Sequence, residues 1–390
     1  MTIVGISIKV LKAKKLSSFL SVLLVAFGMA IITTLILVSH QLTQKLERNA
    51  AYVDAVVGAK GSPLQLILSS VYFIDFPTGN IPLKDFEEIQ KNRMVKLAVP
   101  IALGDSYEGY RIVGTEPSFL QLHQLKLASG KLWEKNFEVV IGADVAKAKN
   151  IKLGALIYGS HGLTSGAEVH QEHAYKVVGI LKKQNTSADQ LVITHLSSIW
   201  AMHHHEEVIE EEQDITSILI QYRSPVSTIL FPKIINEQTN LQAASPAIES
   251  ARLFSLVGIG YDVLHYFAIL IIVIAAISVF VTLFSSLKER KYDLAVLRIL
   301  GASKQQLFMM MLIEGIILTF FGALLGLAAG HILVDVLGSL DGESQVLFSG
   351  YLFLKDELYV LFTGIALGGI AAIIPAMQVY RYDIAKILNS

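Results

Sequence analysis

The 390-residue sequence contains no cysteine and few charged side chains. The absence of cysteine excludes disulfide bonds and thiolate metal ligands. Charged residues make up 17% of the chain and hydrophobic residues 53%, against about 25% and roughly 45–50% in typical soluble domains. The formal net charge of -1 gives no overall attraction to nucleic acid, so we expect no nucleic-acid partner. The apolar excess instead indicates segments that lie in a membrane.

Enzyme signatures are also missing. The sequence has no H-E-x-x-H motif and no nucleophile motif in a suitable context. The segment Gly58-Ala-Lys-Gly-Ser62 contains the residue types of a phosphate-binding loop but lacks the G-x-x-x-x-G-K-[ST] spacing. We therefore predict a non-catalytic membrane subunit that binds no cofactor directly. Any nucleotide-derived energy must come from another chain.

Four apolar runs are each long enough to cross about 30 Å of hydrocarbon as a helix. None of them contains Lys or Arg. The first run is longer than the apolar core of a signal peptide and lacks a small-residue cleavage pattern after it, so we interpret it as retained. We predict transmembrane helices at residues 16–38, 263–287, 305–337 and 357–379.

Basic residues near the ends of these runs predict the orientation. They are concentrated in residues 1–15, in the loop of residues 288–304 and in the tail of residues 380–390, whereas residues 338–356 are mainly acidic. We predict a multi-pass protein of the bacterial inner membrane with both termini in the cytoplasm. Residues 1–15 would form an amphipathic helix at the membrane interface with its lysines toward water, or dock against a partner.

Residues 39–262 are predicted to form a periplasmic domain of mixed α/β structure. Short β-branched runs alternate there with turn signals and helical stretches. Strands are predicted at residues 95–101, 110–114, 138–141, 175–181, 190–194 and 215–222, and helices at 82–91, 117–122, 143–150 and 196–202. Residues 40–56 would extend the first span outward, and Pro246 would kink or break the returning segment.

The predicted fold class is therefore an α-helical membrane protein with four transmembrane helices. One span precedes a large mixed α/β extracytoplasmic domain on helical stalks, and three spans follow it. The segment of residues 57–82 is rich in glycine and proline, and we interpret it as an ordered turn structure or a contact surface above the first stalk.

The loop after the second span reads Lys288-Glu-Arg-Lys-Tyr-Asp-Leu-Ala-Val-Leu-Arg-Ile-Leu-Gly-Ala-Ser303. It resembles the R-x-x-E-x-A-x-L-R-A-x-G-A-S segment of the MacB, LolC and FtsX class of ABC permeases. Asp293 stands where that class usually has Glu, and Ile299 where it usually has Ala. Gly130-Lys-Leu-Trp133 and Tyr175-Lys-Val-Val-Gly-Ile-Leu181 resemble turn and strand signatures of the MacB-like periplasmic core domain.

The resemblance implies a permease subunit of the mechanotransmission type. A separate ABC ATPase, which holds ATP and Mg²⁺, would move the periplasmic domain and so export, extract or release a substrate. The partners would be that ATPase, a second copy of the chain or a homologous permease, and a periplasmic or outer-membrane protein. The alternative, in the manner of the FtsX branch, is a transmembrane regulator of an envelope enzyme that transports nothing.

The loop between the second and third spans is the predicted docking element for the ATPase. Its apolar residues, including Leu294 and Leu297, could bury against a partner, and we expect a turn at Gly301. An ordinary positive-inside loop is the competing interpretation. The predicted coupling residues are Lys288, Glu289, Arg290, Lys291, Asp293, Leu297, Arg298, Gly301, Ala302 and Ser303.

Glu314 is the most costly residue within the spans, so it should be protonated, paired or near the interface. The resemblance places it toward the cytoplasmic end, near Lys304 or a partner helix. Glycines at four-residue spacing suit close helix packing, either in a dimer or within one chain. The residues of this predicted packing face are Glu314, Gly315, Gly322, Gly326 and Gly330.

Histidines and carboxylates cluster in two segments of the predicted periplasmic domain. These side chains together suit Zn²⁺, although adjacent helical residues point about 100° apart and cannot all face one ion. A solvated surface is the alternative to zinc-linked envelope transport. The candidate ligands are His170, His173, His203, His204, His205, Glu206 and Glu207.

Overall fold

The computed structural model describes residues 3–161, 169–203, 213–340 and 348–381. The chain divides into two compact units. The helical unit comprises Met1–Leu42 and Val257–Ser390, and the α/β unit comprises Thr43–Leu256.

The described residues contain twelve α-helices, of which four are far longer than the rest. They are α1 (Ile3–Ala13), α2 (Lys15–Ala50), α3 (Pro63–Ser70), α4 (Leu83–Gln90), α5 (Ser118–Leu122), α6 (Ala143–Ala148), α7 (Leu196–His203), α8 (Ser227–Gln238), α9 (Pro246–Glu289), α10 (Lys291–Ile299), α11 (Lys304–Leu340) and α12 (Asp356–Gln378).

The same residues contain twelve strands. They are β1 (Ala55–Ala59), β2 (Ile81–Pro82), β3 (Val95–Tyr107), β4 (Tyr110–Thr115), β5 (Leu127–Gly130), β6 (Glu138–Ile141), β7 (Leu156–His161), β8 (Val169–Leu181), β9 (Val192–His195), β10 (Asp214–Ile215), β11 (Ser217–Tyr222) and β12 (Leu241–Ala244).

One ten-stranded sheet organises the α/β unit. Its order is β12-β1-β11-β3-β4-β9-β6-β8-β5, and β7 pairs with both β3 and β8. The β4/β9 and β6/β8 pairs are parallel and the other pairs are antiparallel. The register aligns Val56, Leu219 and Val99 across three neighbouring strands. All three side chains are fully buried.

Short helices cover this sheet and complete its core. Phe86 of α4, Ile199 of α7 and Phe231 of α8 pack in one cluster with strand residues such as Ile112 and Val139. Full burial of a side chain such as Phe231 contributes about 1.5–3 kcal/mol. The resulting α/β unit has its own hydrophobic core.

All six predicted strands and all four predicted short helices overlap elements of the structure. The strands β2, β5 and β7 were not predicted, nor were β1 and β12, which pair with each other through Val57 and Ala243. Both are short and rich in alanine, which has low β propensity. The chain breaks at Pro246, one of the two alternatives predicted there, because β12 ends at Ala244 and α9 begins at Pro246. Pro246 is the first residue of α9, where the missing N–H costs nothing.

In the helical unit, α2, α9, α11 and α12 are long and apolar enough to cross a membrane. Their packing shows alternating directions. Residue numbers rise together where α2 meets α11, from Val25 beside Gly322 to Thr33 beside Gly330. They run oppositely between α2 and α9, where Ser21 hydrogen-bonds to Thr282 at 2.9 Å, and Gly28 approaches Ile272.

The helices α11 and α12 also run oppositely. Gly315 approaches Ala372 at one level and Gly364 approaches Ala323 at another. The start of α2 and the end of α12 therefore lie at the same end of the bundle, together with α10.

One side of the first helix, α1, packs against α11, and the other side is exposed. Val10 is buried, Ile3 and Ile6 join the cluster around Leu307, and the Ser7 hydroxyl donates to the Met310 carbonyl at 3.3 Å. Thus much of the apolar surface that the sequence assigned to the membrane interface is covered by α11.

Candidate coupling site

The short helix α10 has one anchored face and one open face. Leu294 and Ala295 are buried, and Leu294 packs in one cluster with Leu287 of α9 and Leu307 of α11. Leu294 was predicted to be available to a partner, but it is part of the chain's own core because it faces the junction of α9 and α11. Leu297 is half-buried at the edge of that cluster.

Large apolar side chains remain on the open face. Tyr292, Ile299 and Leu300 are 62%, 62% and 78% exposed. Exposed apolar groups that cluster on an anchored element are typical of an interaction surface. We call these three residues the open face of α10.

A sharp turn joins α10 to α11. Gly301 has a φ of +98°, in the left-handed region that glycine occupies without strain. Its N–H donates to the Arg298 carbonyl at 3.2 Å, and the Ala302 N–H donates to the Leu297 carbonyl at 3.0 Å. These bonds satisfy carbonyls at the end of α10. The turn predicted at Gly301 is present in the structure.

The start of α11 is fixed by a reciprocal capping arrangement. The Gln306 N–H donates to the Ser303 hydroxyl at 3.1 Å, and the Ser303 N–H donates to the Gln306 Oε1 at 2.7 Å. This is a capping box, worth about 0.5–2 kcal/mol for the cap residue. Gln306 was missed by the sequence reasoning, although the S-x-x-Q spacing is a recognisable signal.

Ion pairs lie around the junction of α9 and α10. Lys14 Nζ lies 2.8 Å from Glu289 Oε2. Arg290 Nη1 lies 3.6 Å from Glu314 Oε1, and Arg290 Nε lies 3.9 Å from Asp293 Oδ2. Lys14 was not among the predicted coupling residues, and no sequence spacing could have linked it to Glu289, because the pair joins distant helices.

Glu314 is fully buried, and both of its carboxylate oxygens lack a hydrogen-bond partner within the described residues. Its basic neighbour is Arg290 rather than the expected Lys304. Ten residues of helix separate Lys304 from Glu314, which is about 15 Å, and Lys304 is exposed. Arg290 and Glu314 therefore form an ion pair at the start of α10 that lacks a hydrogen bond.

The remaining predicted residues of this loop surround the turn. Lys288 Nζ lies 4.5 Å from the centre of the Phe284 ring, and Lys291 is exposed. Arg298 Nη1 donates to the Ala302 carbonyl at 2.9 Å, which ties the helix end to the turn. The loop thus combines a rigid backbone with exposed basic and apolar groups.

The glycine face of α11 packs within the chain. A Cβ atom at Gly322 would lie 2.6 Å from Val25 Cβ, and one at Gly326 would lie 2.6 Å from Met29 Cβ. At Gly330 it would lie 2.7 Å from Thr33 Cβ, and at Gly315 it would lie 2.7 Å from Ala372 Cβ. Only glycine allows these approaches, so this face brings α11 against α2 and α12.

At the opposite end of the bundle, hydrogen bonds tie a short loop to the helices. His331 Nδ1 lies 2.6 Å from the Gly350 carbonyl oxygen, and His331 Nε2 lies 2.8 Å from Glu357 Oε2. Gln41 Nε2 donates to the Ser349 carbonyl at 3.0 Å, and the Ser349 N–H donates to Gln41 Oε1 at 2.9 Å. The sequence reasoning assigned no role to these residues, since the pairs are far apart in sequence.

The predicted metal ligands are only partly described. His170 lies on β8, and His203 ends α7. The His173 ring stacks on Phe137 at 4.9 Å. His204, His205, Glu206 and Glu207 lie outside the described residues. Among the described residues, no group of three or more His, Cys, Asp or Glu could hold a metal ion.

These features define a chain with one α/β unit and four helices that are long and apolar enough to cross a membrane. Comparison with protein families gives the particular class. Residues 18–233 match the MacB-like periplasmic core domain, and residues 266–384 match the FtsX-like permease C-terminal domain. The chain belongs to the family of MacB-, LolC- and FtsX-type ABC transporter permeases. The resemblance stated from the sequence is thereby confirmed.

Individual relatives are distant. The lipoprotein-releasing system transmembrane protein LolC of Neisseria meningitidis serogroup B is 21% identical over 291 residues, which cover 68% of each chain. The periplasmic region of MacB from Actinobacillus actinomycetemcomitans has 12% identity and a TM-score of 0.35, covering 53% of this chain and 95% of that one. The extracellular domain of the noncanonic transporter YknZ from Gram-positive bacteria has 12% identity and a TM-score of 0.34, covering 49% and 100%.

Family membership settles the general role. Permeases of this family are non-catalytic membrane subunits that work with ABC ATPase partners. The chain is therefore an ABC transporter permease of the MacB, LolC and FtsX type.

Proposed function

We propose that this chain is the permease of a mechanotransmission ABC system. A separate ATPase subunit would grip the open face of α10, and the movement of α10 would tilt α9 and α11 as rigid bodies. The observation that carries this proposal is the division of α10 into a face anchored by Leu294 and a face that exposes Ile299 and Leu300. A force applied to the open face would pass directly into the two long helices.

We place both termini and α10 in the cytoplasm and residues 43–256 in the periplasm. Two independent features support this orientation. The alternating helix directions put the start of α2, the end of α12 and α10 at one end of the bundle. Basic residues are concentrated at the same end, as the positive-inside rule requires of cytoplasmic loops.

We propose that the substrate does not pass through the middle of this bundle. The bundle core is formed by apolar residues such as Val25, Val279 and Leu318. A cavity there, lined by Met29 and Thr319 among others, has a volume of about 10 Å³, which is barely enough for one water molecule. Motion of the extracytoplasmic unit would instead export, extract or release the cargo. The name of the LolC relative makes a lipoprotein the first cargo to test.

The ATPase contact can be tested by co-purification. An ATPase encoded beside this reading frame would be co-expressed with the full chain carrying Ile299→Asp and Leu300→Asp, and the complex would be isolated from detergent. We expect the double variant to lose the ATPase while keeping its own elution profile. The matched control is Tyr351→Asp, which changes an 89% exposed side chain at the opposite end of the bundle. Retention of the ATPase by the double variant would rule out the open face as its docking surface.

A regulator of an envelope enzyme would use the same ATPase contact, since the FtsX-like match is shared by that branch. Recovery of a cell-wall hydrolase, rather than cargo, on the periplasmic unit would favour it.

For pairing with a second copy or a homologous permease, we propose a surface other than the glycine face of α11, because α2 and α12 already cover that face. Zinc-linked transport stays a proposal to be tested by calorimetry with the full chain.

A further inference from the structure

A large apolar groove runs along the outside of the helical unit, between α1, the first turns of α2, and α11. Its volume is about 750 Å³, within the roughly 300–1,000 Å³ range of ligand sites. Leu11, Phe19 and Val22 line one wall, and Ile317 and Phe321 line the other. None of its eleven lining residues is acidic.

Two lysines stand at one end of this groove. Lys12 lies in the last turn of α1, and Lys15 is the first residue of α2. Both are exposed, and within the described part of the chain neither is joined to a carboxylate. By contrast, the neighbouring Lys14 is paired with Glu289 at 2.8 Å. The groove therefore carries two positive charges that the described chain does not neutralise.

Along α2, the charged end of the groove comes first and the apolar lining follows it. Lys15, Phe19 and Val22 lie on one helix face, and Val22 is about 10 Å from Lys15 along the axis. The remaining polar lining residue, Ser18, uses its hydroxyl to donate to the Leu11 carbonyl at 3.2 Å. The groove is thus cationic at its entrance and apolar beyond it.

We infer that this groove binds an anionic phospholipid of the membrane. A phosphate group between Lys12 and Lys15 would accept hydrogen bonds from both lysines, and the acyl chains would cover Phe19 and Phe321, which are 60% and 52% exposed. A helix of a second copy would fill the apolar part but leave the two ammonium groups without partners, which is costly when they are desolvated. A free anion would leave the apolar walls uncovered. The site is distinct from the open face of α10 and rests on the membrane placement of α2 and α11.

Native mass spectrometry of the full chain in detergent tests this site. The probes are dioleoyl-phosphatidylglycerol and dioleoyl-phosphatidylcholine, titrated separately. We expect one phosphatidylglycerol to bind about 30-fold more tightly than phosphatidylcholine, because each lysine contributes roughly fivefold in affinity for an anionic lipid. Lys12→Gln with Lys15→Gln should remove this preference. Lys9→Gln removes a charge from an exposed lysine of α1 that does not line the groove, so it should leave the preference unchanged.

A second pair of variants tests the apolar part. Phe19→Ser with Phe321→Ser should weaken both lipids about tenfold, whereas Phe27→Ser with Phe320→Ser, which changes exposed rings outside the groove, should not. Elution profiles verify that each variant is folded.

Three results would overturn the inference. Equal losses from Lys9→Gln and from the Lys12 and Lys15 changes would indicate general surface attraction. Displacement of the lipid by millimolar inorganic phosphate would indicate a free-anion site. A changed ratio of monomer to dimer, without altered lipid binding, would assign the groove to a second copy.

Discussion

The two units of the molecule use their buried polar groups in different ways. In the α/β unit, Arg111 donates from Nε to the Phe73 carbonyl at 3.2 Å and from an Nη to the Asp75 carbonyl at 2.5 Å. In the helical unit, the pairs Arg290–Glu314 and His331–Glu357 join different elements of the bundle. Charges therefore hold loops to the sheet in one unit and hold helices to one another in the other unit.

This difference fits the proposed roles of the two units, in which the helices tilt and the α/β unit moves. Side chains that bind backbone carbonyls of a neighbouring loop make a unit that moves as one body. Ion pairs between helices can instead be exchanged when the helices tilt. The Arg290–Glu314 pair has the geometry expected of such a contact, because its 3.6 Å separation lies beyond an ordinary hydrogen bond.

The largest effect in this comparison is expected at Glu357. Glu357→Ala would leave His331 and the Leu354 N–H, which donates to Glu357 Oε1 at 2.8 Å, without their acceptor. Loss of a fully buried partner should lower the free energy of unfolding by about 3–5 kcal/mol. Denaturant unfolding in detergent measures it, and Asp356→Ala, at an exposed neighbour, is the control. Equal losses for both variants would show that the buried pair has no special role.

Removal of Arg111 tests the α/β side of the comparison. Arg111→Met keeps most of the side-chain volume but removes the guanidinium that donates to the Phe73 and Asp75 carbonyls, so we expect a loss of about 2–3 kcal/mol and faster proteolysis of residues 71–80. The exposed Arg93 provides the matched control variant Arg93→Met. If the loop stayed protected from protease in Arg111→Met, Arg111 would not be what holds it.

We expect a pH effect on stability in the α/β unit. Burial lowers the pKa of His123 to about 4, and its Nε2 has no hydrogen-bond partner within the described residues. The unfolded chain takes up this proton near pH 6.5, so acidification favours unfolding, by about 2 kcal/mol between pH 6.5 and 5. His123→Leu should abolish this part of the acid sensitivity. Unfolding curves at pH 7 and pH 5 measure it, and an unchanged difference in the variant would exclude His123 as its source.

The smallest effect on stability is expected at the base of α10. Arg290→Met removes a partner that makes no hydrogen bond to Glu314, so the loss should be only about 1 kcal/mol. The effect on coupling should be larger than the effect on stability. We expect cargo to stimulate the partner ATPase several-fold less in this variant. Lys304→Met, at an exposed lysine of the same region, is the control. A loss as large as that of Glu357→Ala would show that the Arg290–Glu314 pair stabilises the bundle as strongly as the His331–Glu357 pair.

Some of this architecture could be predicted because its signals are local. Long apolar runs, the Gly301 turn and strands such as β6 depend on neighbouring residues, and all were recovered from the sequence. The contacts that give α10 its anchored face could not be predicted, since they join segments far apart in sequence. Leu294 has the same chemistry as Leu300, and only the packing of α9, α10 and α11 decides which of them is buried.

The histidine-rich segments are a second feature whose structure could not be predicted from the sequence. The run of three histidines predicts metal affinity from composition alone, but composition carries no geometry. The described residues bring no third ligand to His173, whose ring instead stacks on Phe137. A zinc-linked function of the chain therefore stays a prediction.

In the mechanism we propose, ATP hydrolysis by another chain moves the α/β unit through α10. Because the chain has no cysteine, spin labels can be attached at Lys126→Cys and Tyr351→Cys, two exposed positions in different units. Electron–electron distance measurements would be made on the complex with its ATPase, with and without ATP and vanadate. We expect ATP and vanadate to shift the distance distribution, and we expect this shift to disappear with Ile299→Asp and Leu300→Asp. An identical distribution in every nucleotide state would contradict it.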